Sequence, residues 1–217
     1  MMLTKTHLFL VDDDDAVLDA LEFVLQGEGY EPHCFLSADL FWQFIQQQGT
    51  MITGCLVLDS RMPGMSGQEL QIALNQLHSS LGIVFLTGHG DIPMAVDALK
   101  SGAVDFLLKP IHIDSLLKAI KNALEYSSRQ IIRQLSIEKY KQLTQRERDM
   151  LALFAKGNNN IDVSNELHIS PRTVEVHKSN LLRHLGVTTL AEMITIYTHV
   201  ESILDTIPPP PTRIKRK

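Results

Sequence analysis

Apolar residues in the first half of the chain follow two alternating rhythms. Short continuous runs at 8–11, 32–35, 55–58, 83–86 and 104–108 alternate with stretches whose apolar positions return every three or four residues. Residues 16–26 place Val17, Leu18, Leu21, Val24 and Leu25 on one helical face, and 40–45, 70–77 and 94–99 repeat the pattern. The alternation predicts five βα units. Continuous apolar strands imply a parallel sheet covered on both faces, and right-handed crossovers distribute the helices between them. In such a sheet the loops at the carboxyl ends of the strands form the site.

From Ser115 a fifth helical pattern runs through Leu116, Ile120 and Leu124 toward Ile131, Ile132 and Leu135, without Gly or Pro. Beyond it only helical patterns occur, and they are sharply punctuated. "TQRE" (144–147) and "TLAE" (189–192) read as capping boxes. "SPRT" (170–173) places Ser170 at a helix cap and Pro171 at its first position, and Gly186 ends that helix. "NNN" (158–160) reads as a loop and cap. The predicted organisation is an α/β domain over 1–125, a helical linker over 126–141, an all-α four-helix domain over 142–207 and a disordered basic tail over 208–217, "PPPPTRIKRK" in its last ten residues.

Charge divides along the same line. Residues 1–125 hold 6 Lys and Arg against 16 Asp and Glu, whereas 126–217 hold 14 against 9, giving nets of −10 and +5. An acidic first half suits cations, and a basic second half suits a polyanion such as nucleic acid. The two cysteines, Cys34 and Cys55, lie in strand-like runs and are expected to be buried thiols in a reducing compartment rather than a disulfide framework. Neither a secretory leader nor an apolar stretch of membrane-spanning length is apparent, so a cytoplasmic protein with no membrane partner is expected.

The strand ends carry the chemistry. Asp12 and Asp13 follow the first run, Asp59 the third, Thr87 the fourth, and Lys109 with Pro110 the fifth. In a parallel sheet these ends open on one edge, so carboxylates, a hydroxyl and an ammonium converge. Clustered carboxylates call for a divalent cation, and hard oxygen ligands favour Mg²⁺. Nucleophile, metal and cation together are what phosphoryl transfer to a carboxylate requires. In the run "VDDDD" (11–15), Asp14 and Asp15 are expected to serve the start of the following helix instead.

"VDD" (11–13), "LDSRMPGMSG" (58–67), "FLTGHGDIPMAV" (85–96) and "GAVDFLLKP" (102–110) resemble the CheY-like receiver domain of two-component response regulators over nearly the whole first domain. The resemblance implies that Asp59 is phosphorylated from a phosphohistidine of a sensor histidine kinase. It implies that Asp13, Asp59 and the carbonyl of Arg61 bind Mg²⁺, with Asp12 acting through water. Lys109 would pair with the phosphoryl group, and Thr87 would hydrogen-bond to it while Phe106 swings inward. Ser60 departs from the family, which usually has an apolar residue there; a consequence for packing rather than for chemistry is expected.

Two other readings compete. Asp12 and Asp14, with Ala16 following, come near the D-x-D pattern of haloacid-dehalogenase-type phosphohydrolases, which would make Asp12 the nucleophile of a small-molecule enzyme. A degenerate receiver would leave a DNA-binding protein indifferent to phosphorylation. The first leaves Asp59 and the basic half without a role, and the intact Asp12, Asp13, Asp59, Thr87 and Lys109 speak against the second.

"LTQRERDMLALFAKGNNNIDVSNELHISPRTVEVHKSNLLRHLGV" (143–187) resembles the LuxR-type helix-turn-helix, in the arrangement of FixJ-type regulators. Ile161, Val163 and Leu167 are expected to bury one helix, and the turn 168–170 to set the next at an angle. Val174, Leu181, Leu182 and Leu185 would form the inner face of that second helix. Arg172, Thr173, Glu175, Val176, Lys178, Ser179 and Arg183 remain for a DNA major groove. Of these, Arg172, Lys178 and Arg183 suit phosphates, and Glu175, Val176 and Ser179 suit base edges. The implied function is a phosphorylation-controlled transcription regulator, not an enzyme apart from slow loss of its own phosphoryl group. It would act as a homodimer on double-stranded promoter DNA, with RNA polymerase a further partner the resemblance admits.

Overall fold

The computed structural model describes residues 6–49, 51–88 and 92–209; for Ile92 and Pro93 it describes the backbone alone. His89 and the basic residues of the tail, Arg213, Lys215, Arg216 and Lys217, lie outside the described residues. The chain divides into two compact units, Met1–Ile131 and Ile132–Lys217.

In the first unit, β1 (Thr6–Val11), β2 (Pro32–Phe35), β3 (Thr53–Asp59), β4 (Gly82–Thr87) and β5 (Asp105–Leu108) pair in the all-parallel order β2-β1-β3-β4-β5. Helices α1 (Asp15–Gly27), α2 (Ala38–Gln48), α3 (Gly67–Gln76), α4 (Ile92–Lys100) and α5 (Ile113–Lys141) follow the strands in turn. The pleat divides each central strand between two cores. Leu8, Leu10, Cys55, Val57, Val84 and Leu86 pack with Leu18 and Leu25 of α1 and Leu116, Ile120 and Ala123 of α5. Phe9, Val11, Leu56, Leu58, Ile83 and Phe85 face the other way, onto Phe41, Ile45, Leu70, Leu74 and Ala98 of α2, α3 and α4. This is the doubly wound sheet that the alternating pattern predicts.

Three expectations need correction. Burial on both faces holds for β1, β3 and β4 but not for the edge strands β2 and β5, each covered on one side only by a neighbouring strand. Cys34, on edge strand β2, is therefore exposed, while Cys55 on β3 is buried. The Cys34 thiol lies 3.8 Å from the Glu22 carboxylate; burial of part of the side chain and the nearby Glu22 charge push its pKa up to about 11. On α1, Val24 is exposed although its period places it with Leu18 and Leu25.

Local signals fix the helix ends. The Asp14 carboxylate accepts from the Ala16 amide and caps α1, and Asp15 stands in its first turn, where the positive end of the helix favours a carboxylate. Helix α3 begins with a capping box of Ser66 and Glu69, immediately after the loop that follows Asp59. Gly67 is required there by close approach, since a Cβ would lie 2.4 Å from the Asp59 carbonyl oxygen and 2.9 Å from the Phe85 ring.

Helix α5 continues to Lys141, and the division between the units falls within it. Ile137 and Tyr140 of its last turns belong to the core of the second unit, with α6 (Gln145–Ala155), α7 (Asn160–Glu166), α8 (Pro171–Leu185) and α9 (Leu190–Glu201). The caps read from the sequence are present: Thr144 with Glu147, Asn159 with Asp162, and Thr189 with Glu192 as capping boxes, Ser170 before Pro171, and Gly186 in the left-handed conformation at φ 64°. Arg148 is buried. Its guanidinium donates to the carbonyls of Lys141 and Pro208 and lies 5.0 Å from the Tyr140 ring centre, so the first residue of the expected tail is tied down. Ile161, expected in the core, is 62% exposed; Val163 and Ser164 are the buried residues of α7. At seven residues this helix has only one narrow inward stripe, and its second position turns outward.

Candidate functional site

Strands β1 and β3 are neighbours, and the chain leaves them toward opposite faces of the sheet. Their carboxyl ends flank the point where the strand order reverses, the customary ligand crevice of an open α/β sheet. Asp12 follows β1 directly and Asp59 ends β3; both are buried. From beyond the end of β5, Lys109 inserts its Nζ between them, 2.6 Å from Asp12 Oδ2 and 2.6 Å from Asp59 Oδ1.

The remaining carboxylate oxygens are also held. The Asp14 amide donates to Asp12 Oδ1 at 3.0 Å, and the Arg61 amide donates to Asp59 Oδ2 at 2.7 Å. Removal from water disfavours the charged form of Asp59 and pushes its pKa above the usual carboxylate value, although the hydrogen bonds from Lys109 and Arg61 pull the other way. For Lys109, burial disfavours the ammonium, but its bonds to Asp12 and Asp59 outweigh this and its pKa is raised. The site is a buried pair of carboxylates bridged by the Lys109 ammonium.

The other expected members lie around this centre. Asp13 is exposed at the end of β1. Thr87 ends β4 and is fully buried; Ser60 Oγ donates to its Oγ1 at 2.9 Å, a bond that reasoning from sequence missed by assigning Ser60 to packing alone. Phe106 of β5 stands in register beside Phe85 and packs, partly buried, against the core on the α2, α3 and α4 face. Among the described residues no three acidic, His or Cys side chains form a ready cage for a metal. Two carboxylates with a third beside them, backbone carbonyls and solvent still match the donor set of Mg²⁺, which keeps several of its waters.

In the second unit, α8 presents Arg172, Glu175, Val176, Ser179 and Arg183 to solvent. Thr173 is half-buried, and its hydroxyl lies 2.8 Å from that of Ser170 within the helix cap, so it is less available to a ligand than the sequence pattern implied. Lys178 is half-buried too, with its ammonium 5.1 Å from the centre of the Phe154 ring. Arg183 donates to Asn180.

Residues 8–121 match the family described as response regulator receiver domain, and residues 141–203 match the LuxR family of bacterial regulatory proteins. The chain belongs to the response regulators. The tetrathionate response regulatory protein TtrR of Salmonella typhimurium is 40% identical over 96% of each chain. The transcriptional regulatory protein FixJ of Bradyrhizobium diazoefficiens is 35% identical over 90% of this chain and 96% of its own. Among solved structures, the response regulator StyR aligns with a TM-score of 0.64 at 39% identity, covering 90% of this chain and 99% of its own. Full-length FixJ from B. japonicum aligns with a TM-score of 0.55 at 33% identity, covering 93% and 100%.

This response regulator therefore joins a receiver to a LuxR-type DNA-binding domain, and its regulation of transcription is controlled by phosphorylation. Neither family is one of enzymes in the ordinary sense. A receiver implies a sensor kinase as partner and generally binds Mg²⁺ at its phosphorylation site, and the LuxR-type domain implies DNA. No helix among the described residues is long and apolar enough to cross a membrane.

Proposed function

We propose that Asp59 is the phosphoacceptor, receiving the group from a phosphohistidine of a sensor histidine kinase in the cytoplasm. The observation that carries this reading is the Lys109 ammonium 2.6 Å from both Asp12 and Asp59 at the strand-order reversal. The Asp59 carboxylate oxygen attacks phosphorus as the bond to the imidazole nitrogen breaks, leaving an acyl phosphate and a neutral histidine. Burial makes Asp59 the more basic carboxylate than an ordinary Asp, which favours it as nucleophile. Lys109, already at the carboxylate, follows the negative charge outward onto the phosphoryl oxygens.

Asp12, Asp13, Asp59 and the Arg61 carbonyl are the residues that would hold Mg²⁺, with Asp12 acting through water. Bound there, the ion supplies charge neutralisation to the phosphoryl oxygens. Thr87 donates a hydrogen bond to the group and Phe106 moves with it. Hydrolysis of the acyl phosphate is the only turnover assigned to the chain. The altered receiver surface pairs two copies, and their α8 helices occupy successive half-sites of double-stranded promoter DNA, where contact with RNA polymerase becomes open to them. Arg172, Lys178 and Arg183 grip phosphates; Glu175, Val176 and Ser179 face base edges; Thr173 supports the start of the helix. In functional terms residues 1–125 are the receiver, 126–141 the connecting helix and 142–207 the DNA-binding domain.

The test is phosphorylation by acetyl phosphate with Mg²⁺. Wild type should incorporate label and shift to a dimer in sedimentation, and Asp59→Asn should do neither. Label recovered on Asp12 would overturn the assignment.

A further inference from the structure

The end of β3 lies beside the end of β4, with Asp59 opposite Leu86, so the next residues, Ser60 and Thr87, face each other across the strand pair. Ser60 is 2% exposed and Thr87 fully buried, and their hydroxyls are 2.9 Å apart with Ser60 as donor. The Thr87 hydroxyl directs its own hydrogen toward the Gly88 carbonyl at 3.4 Å, a long contact. Ser60 cannot readily follow a movement of Thr87. Its amide donates to the Leu86 carbonyl at 3.0 Å, its carbonyl accepts from Gly67 at 3.3 Å, and a Cβ on Gly67 would meet its Cα at 3.2 Å. The backbone at Ser60 is thus clamped between β4 and the start of α3, leaving only rotation of its hydroxyl.

We propose that Ser60 is a positioning residue that latches Thr87 in the unphosphorylated chain, opposing the switch. The inference rests on the phosphoacceptor reading above and adds a term to it. For Thr87 to serve a phosphoryl group on Asp59, its side chain must move Oγ1 toward the new oxygens, which redirects its hydrogen from the Gly88 carbonyl and draws the acceptor away from the clamped Ser60 donor. An apolar side chain at 60 offers Thr87 no such partner, so the side chain moves without that loss. Ser60 therefore sets the threshold of the response without touching the transferred group. A net neutral hydrogen bond of ordinary strength corresponds to a shift of about two- to twelvefold in the switching equilibrium.

The experiment measures binding of beryllium trifluoride, a stable mimic of the phosphoryl group, to the full chain in Mg²⁺ by calorimetry. Ser60→Ala should bind about two- to twelvefold more tightly than wild type. Ser60→Cys, which keeps the shape with a weaker donor, should fall between them and serves alone if the alanine variant does not fold. In a Thr87→Ala background the substitution at 60 should have no effect, which separates a latch on Thr87 from a packing role. Unchanged or weaker binding by Ser60→Ala, or an equal shift in both backgrounds, overturns the latch while leaving Asp59 as acceptor. Failure of wild type to bind, or equal binding by Asp59→Asn, overturns the acceptor reading and the latch with it.

Discussion

Replacing Lys109 by alanine tests the electrostatics on which the site depends. The side chains of Asp12 and Asp59 are 3% and 9% exposed and that of Lys109 is 28% exposed, so the carboxylates recover only part of their hydration when the ammonium is removed. At an effective dielectric of about 20 and a separation of about 3 Å, each contact is worth roughly 5 kcal/mol of gross attraction, most of it spent against desolvation. Removing one partner from a buried pair costs about 3–5 kcal/mol. Solvent reaching the Lys109 head lowers the expected loss to about 2–4 kcal/mol.

The loss has a pH signature. Asp59 already has its pKa raised above the ordinary 3.8, so the folded chain holds that proton more firmly than the unfolded one. Stability therefore falls as pH rises through the window between 3.8 and the folded value, and ionised Asp59 is a burden above it. Without Lys109 the window widens upward. The destabilisation of Lys109→Ala should be full at neutral pH and shrink as pH falls toward about 4. Millimolar Mg²⁺ should restore more stability to the variant than to wild type, since a second cation then takes over neutralisation. The single tryptophan, Trp42, packs against the receiver core and reports urea unfolding of that unit separately from the other. Coincident urea midpoints for wild type and variant at neutral pH without Mg²⁺ would refute the reasoning.

In the second unit, Thr144→Ala removes one half of a capping box and should cost about 1 kcal/mol. Burial works against ionised Glu147, but bonds from Thr144 and His184 outweigh it and lower its pKa, so its contribution is present above the ordinary 4.5 and lost as pH falls through the folded value. Thr144→Ala should move acid unfolding, followed by circular dichroism, to higher pH; an unmoved transition argues against the linkage. A fragment beginning at Ile132 should exceed one beginning at Gln142 in stability by about 3 kcal/mol, because the shorter piece lacks the buried Tyr140 ring and the Lys141 carbonyl that Arg148 requires. Equal melting temperatures would place the linker turns outside the core. Lys178→Ala should weaken binding to all DNA sequences and reduce the salt slope by about one, whereas Glu175→Gln should reorder preferred sites. Gel shifts in which both act alike on every sequence would overturn the division of α8.

The parallel sheet is legible because each strand and helix announces itself through local period, and the strand-end rule then places Asp12, Asp59, Thr87 and Lys109 at one edge. What period cannot carry is lateral position. Cys34 and Cys55 sit in equally apolar runs, yet one strand lies at the sheet edge and the other at its centre. Ile161 satisfies a helical pattern on a helix too short to bury it. Tyr140 and Arg148 lie eight positions apart across a helix break, and no propensity links them. Ser60 is the instructive miss. It was visible as a polar residue where an apolar one was expected, but its partner is defined by the pairing of β3 with β4, and that register is a property of the assembled sheet.

The same distinction disposes of the phosphohydrolase reading. A D-x-D pair works only if its two carboxylates share one centre, and spacing alone left that open for Asp12 and Asp14. Asp14 spends its carboxylate on the Ala16 amide at the start of α1, where the exposed helix end favours it, and donates its own amide to Asp12. Asp12 is left facing Asp59 across the Lys109 ammonium. The acid run that looks uniform in sequence is thus divided by the end of a strand and the start of a helix: Asp12 turns inward to a buried charge cluster, while Asp14 and Asp15 neutralise a helix dipole. The proposed acceptor is therefore the carboxylate that β3, rather than β1, delivers to this cluster.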